Sequence, residues 1–338
     1  MFNNYYRITF VYKSLNHIHQ LMNIIKAQSS GGLMSPQRAR ELPVRTALSG
    51  PAAGAVGAAY AARQTGRNKV ITLDMGGTSA DVAMIRDFRV DLTFDRNVAG
   101  FPIRLPCVDV ETVGAGGGSI AFVDSGGILK VGPQSAGANP GPRCYGTGEA
   151  ITVTDANLYL GLLEPDWFLG GDFPLQPDRV EAGLETLASE LTEASGTDWS
   201  PRTVARGIRS IVEAQMEQAI RVASLEKGYD TRDFTLVSFG GAGGLHVCDL
   251  ARTLLVPRVL VPVNPGTSSA LGTVQSSVRR DASVTILANS EDAEIERRIE
   301  STFAQLEQKV LEDLQAAIGG SRRTAIIIRK NFGAGTAF

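Results

Sequence analysis

Two periodicities divide the chain. Over Pro201–Lys227, Val204, Ile208, Ile211, Val212, Met216, Ala219, Ile220 and Ala223 fall on one face at helical spacing. A second stripe, Ile295, Ile299, Phe303, Leu306, Val310 and Leu314, predicts an amphipathic helix over residues 291–318. Val180–Ser195 predicts another helix. Short apolar runs bounded by glycine or turn residues predict strands instead: the residues leading into Asp74, then Val82–Ile85, Arg89–Phe94, Phe234–Phe239 and Val259–Val263. Ser119–Gly132 carries two apolar runs joined at Ser125-Gly126-Gly127, which predicts a hairpin. Small residues over Ser49–Gln64 predict a helix, with Ser49 or Gly50 as its cap and Pro51 in its first turn. Shorter helices are expected from Thr154-Asp155, from Leu245 and within Pro265–Ser277, and residues 27–46 read as loop with a short helix. Residues 1–26 are aromatic and mixed, with weak periodicity. The order is mixed α/β with glycine turns at strand ends, where open sheets collect ligands.

Composition narrows the function classes. The 338 residues are 43% hydrophobic and 20% charged, as in a globular protein of two or three domains. A net charge of −2 gives no electrostatic case for nucleic acid or an anionic membrane. Three scattered cysteines, with no CxxC pair, argue against a disulfide framework or structural zinc. No apolar run reaches the roughly 20 residues that span a bilayer, and the N-terminus lacks a signal-peptide pattern. A cytoplasmic location is expected. His17, His19 and His246 are too scattered to suggest a metal site, and the first two read as surface residues.

Glycine, at 37 residues, is gathered into runs that carry the candidate chemistry. In VITLDMGGTSADV (Val70–Val82), a strand ends at Asp74 and is followed by Gly76, Gly77, Thr78 and Ser79. Such a turn brings backbone N–H groups and hydroxyls up to anionic oxygens, with Asp74 placed to hold a metal or a water. Alone, the string is equally a tight turn between strands. Neither a Walker A motif nor a GxGxxG opening a helix is present. TVGAGGGS, with Gly116, Gly117 and Gly118, is either a phosphate or substrate loop or a bend. GANPGPRCYG presents Arg143 in a Pro/Gly frame as a further substrate-loop candidate, beside a Cys144 that reads as a buried, inert thiol. In SFGGAGGLHV, Gly240, Gly241, Gly243 and Gly244 separate a strand from a helix carrying His246. His246 reads as an acid–base group or as a cap or core histidine.

Taken in order, SGPAAG, VITLDMGGTSADV, TVGAGGGSIAFVDSGGILKVGPQSAGANPGPRCYG, TVTDANLYLG and FGGAGGLH resemble the hydantoinase A/5-oxoprolinase family, which includes acetone carboxylase subunits. The resemblance covers about residues 27–285. It implies an α/β fold of the actin-like ATPase, ribonuclease H-like type shared with sugar kinases and Hsp70. It implies ATP and Mg²⁺ in a cleft between lobes. Asp74, Gly76, Gly77, Thr78 and Ser79 would form the second phosphate loop, with Mg²⁺ held indirectly through Asp74. Gly240, Gly241, Gly243 and Gly244 would form the adenosine-side loop. The implied activity is ATP-dependent opening of a cyclic amide such as 5-oxoproline or a hydantoin, in an oligomer with a hydantoinase B-type subunit.

The same resemblance divides the chain into a remnant N-terminal segment and linker (1–46), an ATPase-type domain (47–285, with a glycine-rich insertion around 100–150), and a C-terminal helix and truncated tail (286–338). The family's first glycine motif, of DxGGTxTD type, has no copy before residue 70, so the expectation is a fragment of a longer enzyme. Two other functions stay open: a non-catalytic interaction module, and an ATP-dependent ketone carboxylase subunit.

Overall fold

The computed structural model describes residues 2–12, 26–98, 100–288, 294–318 and 325–332, the two terminal strands by backbone path alone. His17, His19 and residues 291–293 of the helix expected over 291–318 lie outside the described residues. In chain order, β1 (Phe2–Tyr12) precedes α1 (Pro36–Glu41) and α2 (Ser49–Gln64). Then come β2 (Lys69–Met75), β3 (Ala80–Arg86), β4 (Val110–Val113), β5 (Ser119–Val123) and β6 (Leu129–Ser135). Three helices follow: α3 (Val153–Tyr159), α4 (Pro177–Ser195) and α5 (Pro201–Ala223). The chain continues through β7 (Thr235–Phe239), α6 (Val247–Thr253), β8 (Arg258–Leu260), α7 (Ser268–Gln275), β9 (Val278–Ala288), α8 (Ile295–Ile318) and β10 (Ala325–Phe332).

The central sheet has the order β4-β3-β2-β7-β8. β3 pairs antiparallel with both β2 and β4, whereas β7 and β8 add parallel to β2 on its other edge. The parallel strands need crossovers, and the helical segment between β4 and β7 supplies one of them. β2 reads as a continuous apolar run because both its faces are covered: Val70, Ile71, Leu73 and Met75 are fully buried. On one side, α5 packs Val204, Ile208, Val212, Met216 and Ile220 into the main core with Leu73, Val82 and Leu236. On the other, Ala58, Ala59 and Ala62 of α2 pack against Val70, Ile85, Val237 and Phe239.

α2 is built from small residues because α7 lies against its backbone. A β-carbon on Gly57 would stand 2.5 Å from Ser268 O, and one on Gly272 would stand 2.7 Å from Gly57 N. The expected cap at Ser49 or Gly50 is corrected. Leu48 occupies the N-cap position without a side-chain bond, and its own N–H donates to Ser29 Oγ. α3 is capped by a reciprocal pair, Thr152 Oγ1 with Asp155 N–H and Asp155 with Thr152 N–H.

β9 and β1 pair antiparallel along eleven positions, Phe2 opposite Ala288 through Tyr12 opposite Val278. β10 adds to the other edge of β1. The Ile295–Leu314 stripe of α8 covers this second sheet: Phe303, Val310 and Leu314 are buried with Ile286. That stripe is core. The strand expected over Arg89–Phe94 forms as two short pieces, Arg89–Val90 and Leu92–Thr93, and Val261 and Val263 lie beyond β8, exposed.

Candidate functional site

β2 and β3 form a hairpin whose tip is Gly76–Ser79. Its ladder closes at Met75 opposite Ala80, with Asp74 opposite Asp81, and Gly76 N–H donates to Ser79 O at 3.0 Å. The Asp74 carboxylate points to the far side of the sheet, where Ser269 Oγ of α7 donates to its Oδ2 at 3.2 Å. Burial raises its pKa above the ordinary carboxylate value; the Ser269 bond works against that rise and the charge of Asp81 adds to it. Asp81 is raised by burial too, opposed by its bond from Thr112 and by Arg96.

The second glycine loop lies directly beside the first. β7 runs parallel to β2 and ends with Phe239 beside Asp74. Gly240 follows at φ +80°, in the left-handed region, and a β-carbon there would stand 2.5 Å from Asp74 Oδ1. Ala242 N–H donates to Met75 O at 3.0 Å. Gly243 is packed against Ser238. Added β-carbons on Gly76, Gly77, Gly241 and Gly244 would instead meet nothing within 4 Å. The two turns therefore share a frame and leave four open glycine positions beside the Asp74 carboxylate.

The third run is brought to the same place but used differently. Gly117 N–H donates to Gly76 O at 3.0 Å and Gly118 N–H to Gly77 O at 2.7 Å. A β-carbon on Gly116 would stand 2.6 Å from the Gly77 carbonyl carbon. Gly116, Gly117 and Gly118 are buried supports of the Gly76–Ser79 tip.

Arg143 is taken up by its own surroundings. Its Nε donates to Arg179 O at 2.7 Å, and its Nη1 to Glu149 O at 2.6 Å. Asp155, fully buried, accepts from the N–H groups of Arg143, Cys144 and Thr152 and from the Thr152 hydroxyl, pinning this loop to α3. Cys144 is buried, and burial together with Asp155 pushes its thiol far up, the opposite of a reactive cysteine.

His246 is fully buried with both ring nitrogens engaged: Nδ1 lies 3.0 Å from Glu213 Oε1, and Nε2 lies 3.2 Å from Asn157 Nδ2. Arg209, which can only donate, bonds Asn157 Oδ1 and so turns the Asn157 amide toward the ring. Nε2 then accepts, and Nδ1–H donates to Glu213. This is the core histidine; the acid–base reading has no free nitrogen to work with. The same Arg209 donates to Leu245 O at 2.8 Å and so ties down the end of the Gly240–Gly244 turn. Ser269 was not singled out in the sequence, and SGPAAG marked Gly54 only as part of a small-residue helix, whereas its missing side chain leaves room for the Ser269–Asp74 bond. The only hint is the small-residue run Ser268–Gly272 placed after a strand.

The family model for hydantoinase/oxoprolinase matches residues 6–282. The chain belongs to that family. The match begins ahead of the first motif-bearing segment, at β1. Caprolactamase subunit alpha of Pseudomonas jessenii is 39% identical over 299 residues, which are 88% of this chain and 42% of that one. A crystal structure of the ATP-dependent caprolactamase from the same organism superposes with a TM-score of 0.73, at 35% identity, over 89% of this chain and 46% of that one. The 5-oxoprolinase PfmaA of Pestalotiopsis fici is 38% identical over 260 residues, 75% of this chain and 20% of that one. Nucleotide-free acetone carboxylase superposes with a TM-score of 0.72, at 28% identity, over 90% of this chain and 45% of that one. The hydantoinase/oxoprolinase chain described here thus spans less than half the length of these relatives. Among its described residues, no helix is long and apolar enough to cross a membrane, and no group of three or more His, Cys, Asp or Glu converges on one point.

Proposed function

We propose that this chain forms the nucleotide-handling part of an ATP-dependent cyclic amide hydrolase, acting with a hydantoinase B-type subunit in an oligomer. The observation that carries the reading is the shared frame of two open glycine turns around Asp74. Relatives named caprolactamase and 5-oxoprolinase supply the reaction class. The strand order β4-β3-β2-β7-β8, three antiparallel strands followed by two parallel ones, supports an actin-like, ribonuclease H-like core over residues 47–285.

In this reading the N–H groups and hydroxyls of Gly76, Gly77, Thr78 and Ser79 hold the terminal phosphates of ATP. Gly241 and Gly244 let the adenosine end lie close to backbone. Gly240 and Gly243 shape that turn from beneath. Asp74 reaches the junction of the two turns with Asp81 opposite it on β3, which suits Mg²⁺, an ion held by one or two carboxylates together with substrate phosphates. When bound, Mg²⁺ neutralises phosphate charge. The chain's part is positioning and charge placement, as in other phosphoryl transfers. An unstrained lactam resists water. Transfer of the γ-phosphoryl from ATP to the lactam carbonyl oxygen, with release of ADP, makes the carbonyl carbon electrophilic. Water adds there, the C–N bond breaks as the nitrogen takes a proton, and a second water releases phosphate from the resulting acyl phosphate to leave the ring-opened amino acid.

The test is ring opening of 5-oxoproline, a hydantoin and caprolactam by the chain together with a hydantoinase B-type partner. ATP-dependent product with ADP release is expected for at least one of them. No turnover of any, with the partner present, contradicts the reading. The superposition on acetone carboxylase favours one second reading, an ATP-dependent ketone carboxylase subunit. Turnover of a ketone that requires bicarbonate would select it.

A further inference from the structure

α7 touches both candidate nucleotide turns. Ser269 Oγ, in its first turn, donates to Asp74 Oδ2 at 3.2 Å. Pro265 O, in the 3-10 turn that leads into α7, accepts from Gly240 N–H at 3.1 Å. The helix itself has little freedom to shift. Its Ser268 carbonyl and Gly272 backbone lie against Gly57 of α2, where no side chain separates the two helices. The Ser269–Asp74 bond sits against α2 as well: a β-carbon on Gly54 would stand 2.9 Å from Ser269 Oγ and 3.1 Å from Asp74 Oδ2. Asp74 Oδ1 faces Gly240 on its other side. The carboxylate is therefore held between three elements, and Ser269 supplies the directional contact among them.

We infer that Ser269 is a positioning residue for the reaction, fixing the Asp74 carboxylate so that α7 keeps the Gly76–Ser79 and Gly240–Gly244 turns in register. This rests on the nucleotide reading above, with Asp74 as the group that acts. A hydroxyl bonded to a carboxylate does two things a packed methyl cannot. It selects one rotamer of the carboxylate, and it occupies one lone pair so that the other oxygen's direction is set. In metal sites, substitution of the outer partners that orient a carboxylate costs about 10–100-fold in activity or metal affinity, and the lower end sets the scale expected for Ser269.

The experiment compares Ser269→Ala and Ser269→Thr with the wild-type full chain, each assembled with the partner subunit. Steady-state kinetics in ATP and cyclic amide are read beside hydrogen exchange of the segment 74–79. For Ser269→Ala, kcat is expected to fall about tenfold with KM for ATP within about twofold of wild type. Exchange over 74–79 should quicken. Ser269→Thr, which keeps the hydroxyl, should restore kcat to within about threefold. Unchanged kcat and exchange in Ser269→Ala overturn the inference. So does an equal loss in both variants, which would mark a packing effect. If the wild type itself turns over nothing, the proposed function fails first. The exchange comparison then still decides whether the hydroxyl orders the Asp74 turn.

Discussion

Two glycine runs meet across one backbone interface near Asp74, and they are used in opposite ways. β-carbons on Gly76 and Gly77 would project into open space. β-carbons on Gly116 and Gly118 would strike the same hairpin tip from below, at 2.6 Å from the Gly77 carbonyl carbon and 2.8 Å from Gly77 O. None of the four has a positive φ, so none is there for an unusual backbone angle. One run is bare toward open space, whereas the other is bare so that two backbones can touch and exchange hydrogen bonds. The Gly76–Ser79 turn is thus a two-layer object, an exposed tip and a buried support.

The sharpest way to break this comparison is Gly116→Ala. Its added methyl must displace main chain rather than a flexible side chain, so a loss of about 3 kcal/mol in unfolding free energy is expected. Denaturant unfolding measures it, and an unchanged midpoint would mean the two backbones are not in contact. Gly118→Ala should cost less, about 1–2 kcal/mol, because one of the two nearest atoms, Ser135 Oγ at 3.0 Å, can rotate away.

Asp81, at the foot of the exposed tip, adds a pH dependence. Burial raises its folded pKa, so the folded state binds more protons than the unfolded one. Its contribution to stability falls as pH rises from the ordinary carboxylate value through the raised one. Asp81→Asn should flatten that part of the profile in thermal melts across mildly acidic pH. A steeper profile would contradict the sign. The smallest effect on stability is expected for Gly77→Ala, within about 0.5 kcal/mol, since its site is open and its φ is not positive.

The difference between the two runs was not legible in the sequence. TVGAGGGS and DMGGTSAD look alike as turns; only the fold tells which faces space. Four strands of the central sheet (β2, β3, β7 and β8) and the helix stripes were legible, from short apolar runs at β2 and β7 and helical spacing along α5; the edge strand β4 (Val110–Val113), beside the TVGAGGGS run, was not. β9 was not. Its pattern VRRDASVTILA hides a strand because Arg280 is buried, bonding Leu33 O and Arg279 O, while Asp281 pairs with Arg45 and Arg279. Polar residues satisfied inside a sheet erase the alternation that marks a strand. β1 was missed for a related reason: its partners lie near residues 278–288 and 325–332, and local pattern carries no trace of pairing at that distance. Of the chemistry, the Asp74 turn was legible as a motif. The burial of His246, the engagement of Arg143 with Arg179 and Glu149, and the role of Ser269 depend on contacts between distant segments.

The central claim is that the open tip, and not its buried support, receives nucleotide. Calorimetric titration of Mg·ATP into the full chain with its partner subunit, wild type against Gly77→Ala, tests it most directly. The account predicts saturable binding by the wild type and a loss of about tenfold or more in Gly77→Ala, equivalent to about 1.4 kcal/mol, with the melting temperature nearly unchanged. No binding by the wild type, or equal affinity in both proteins, would contradict it.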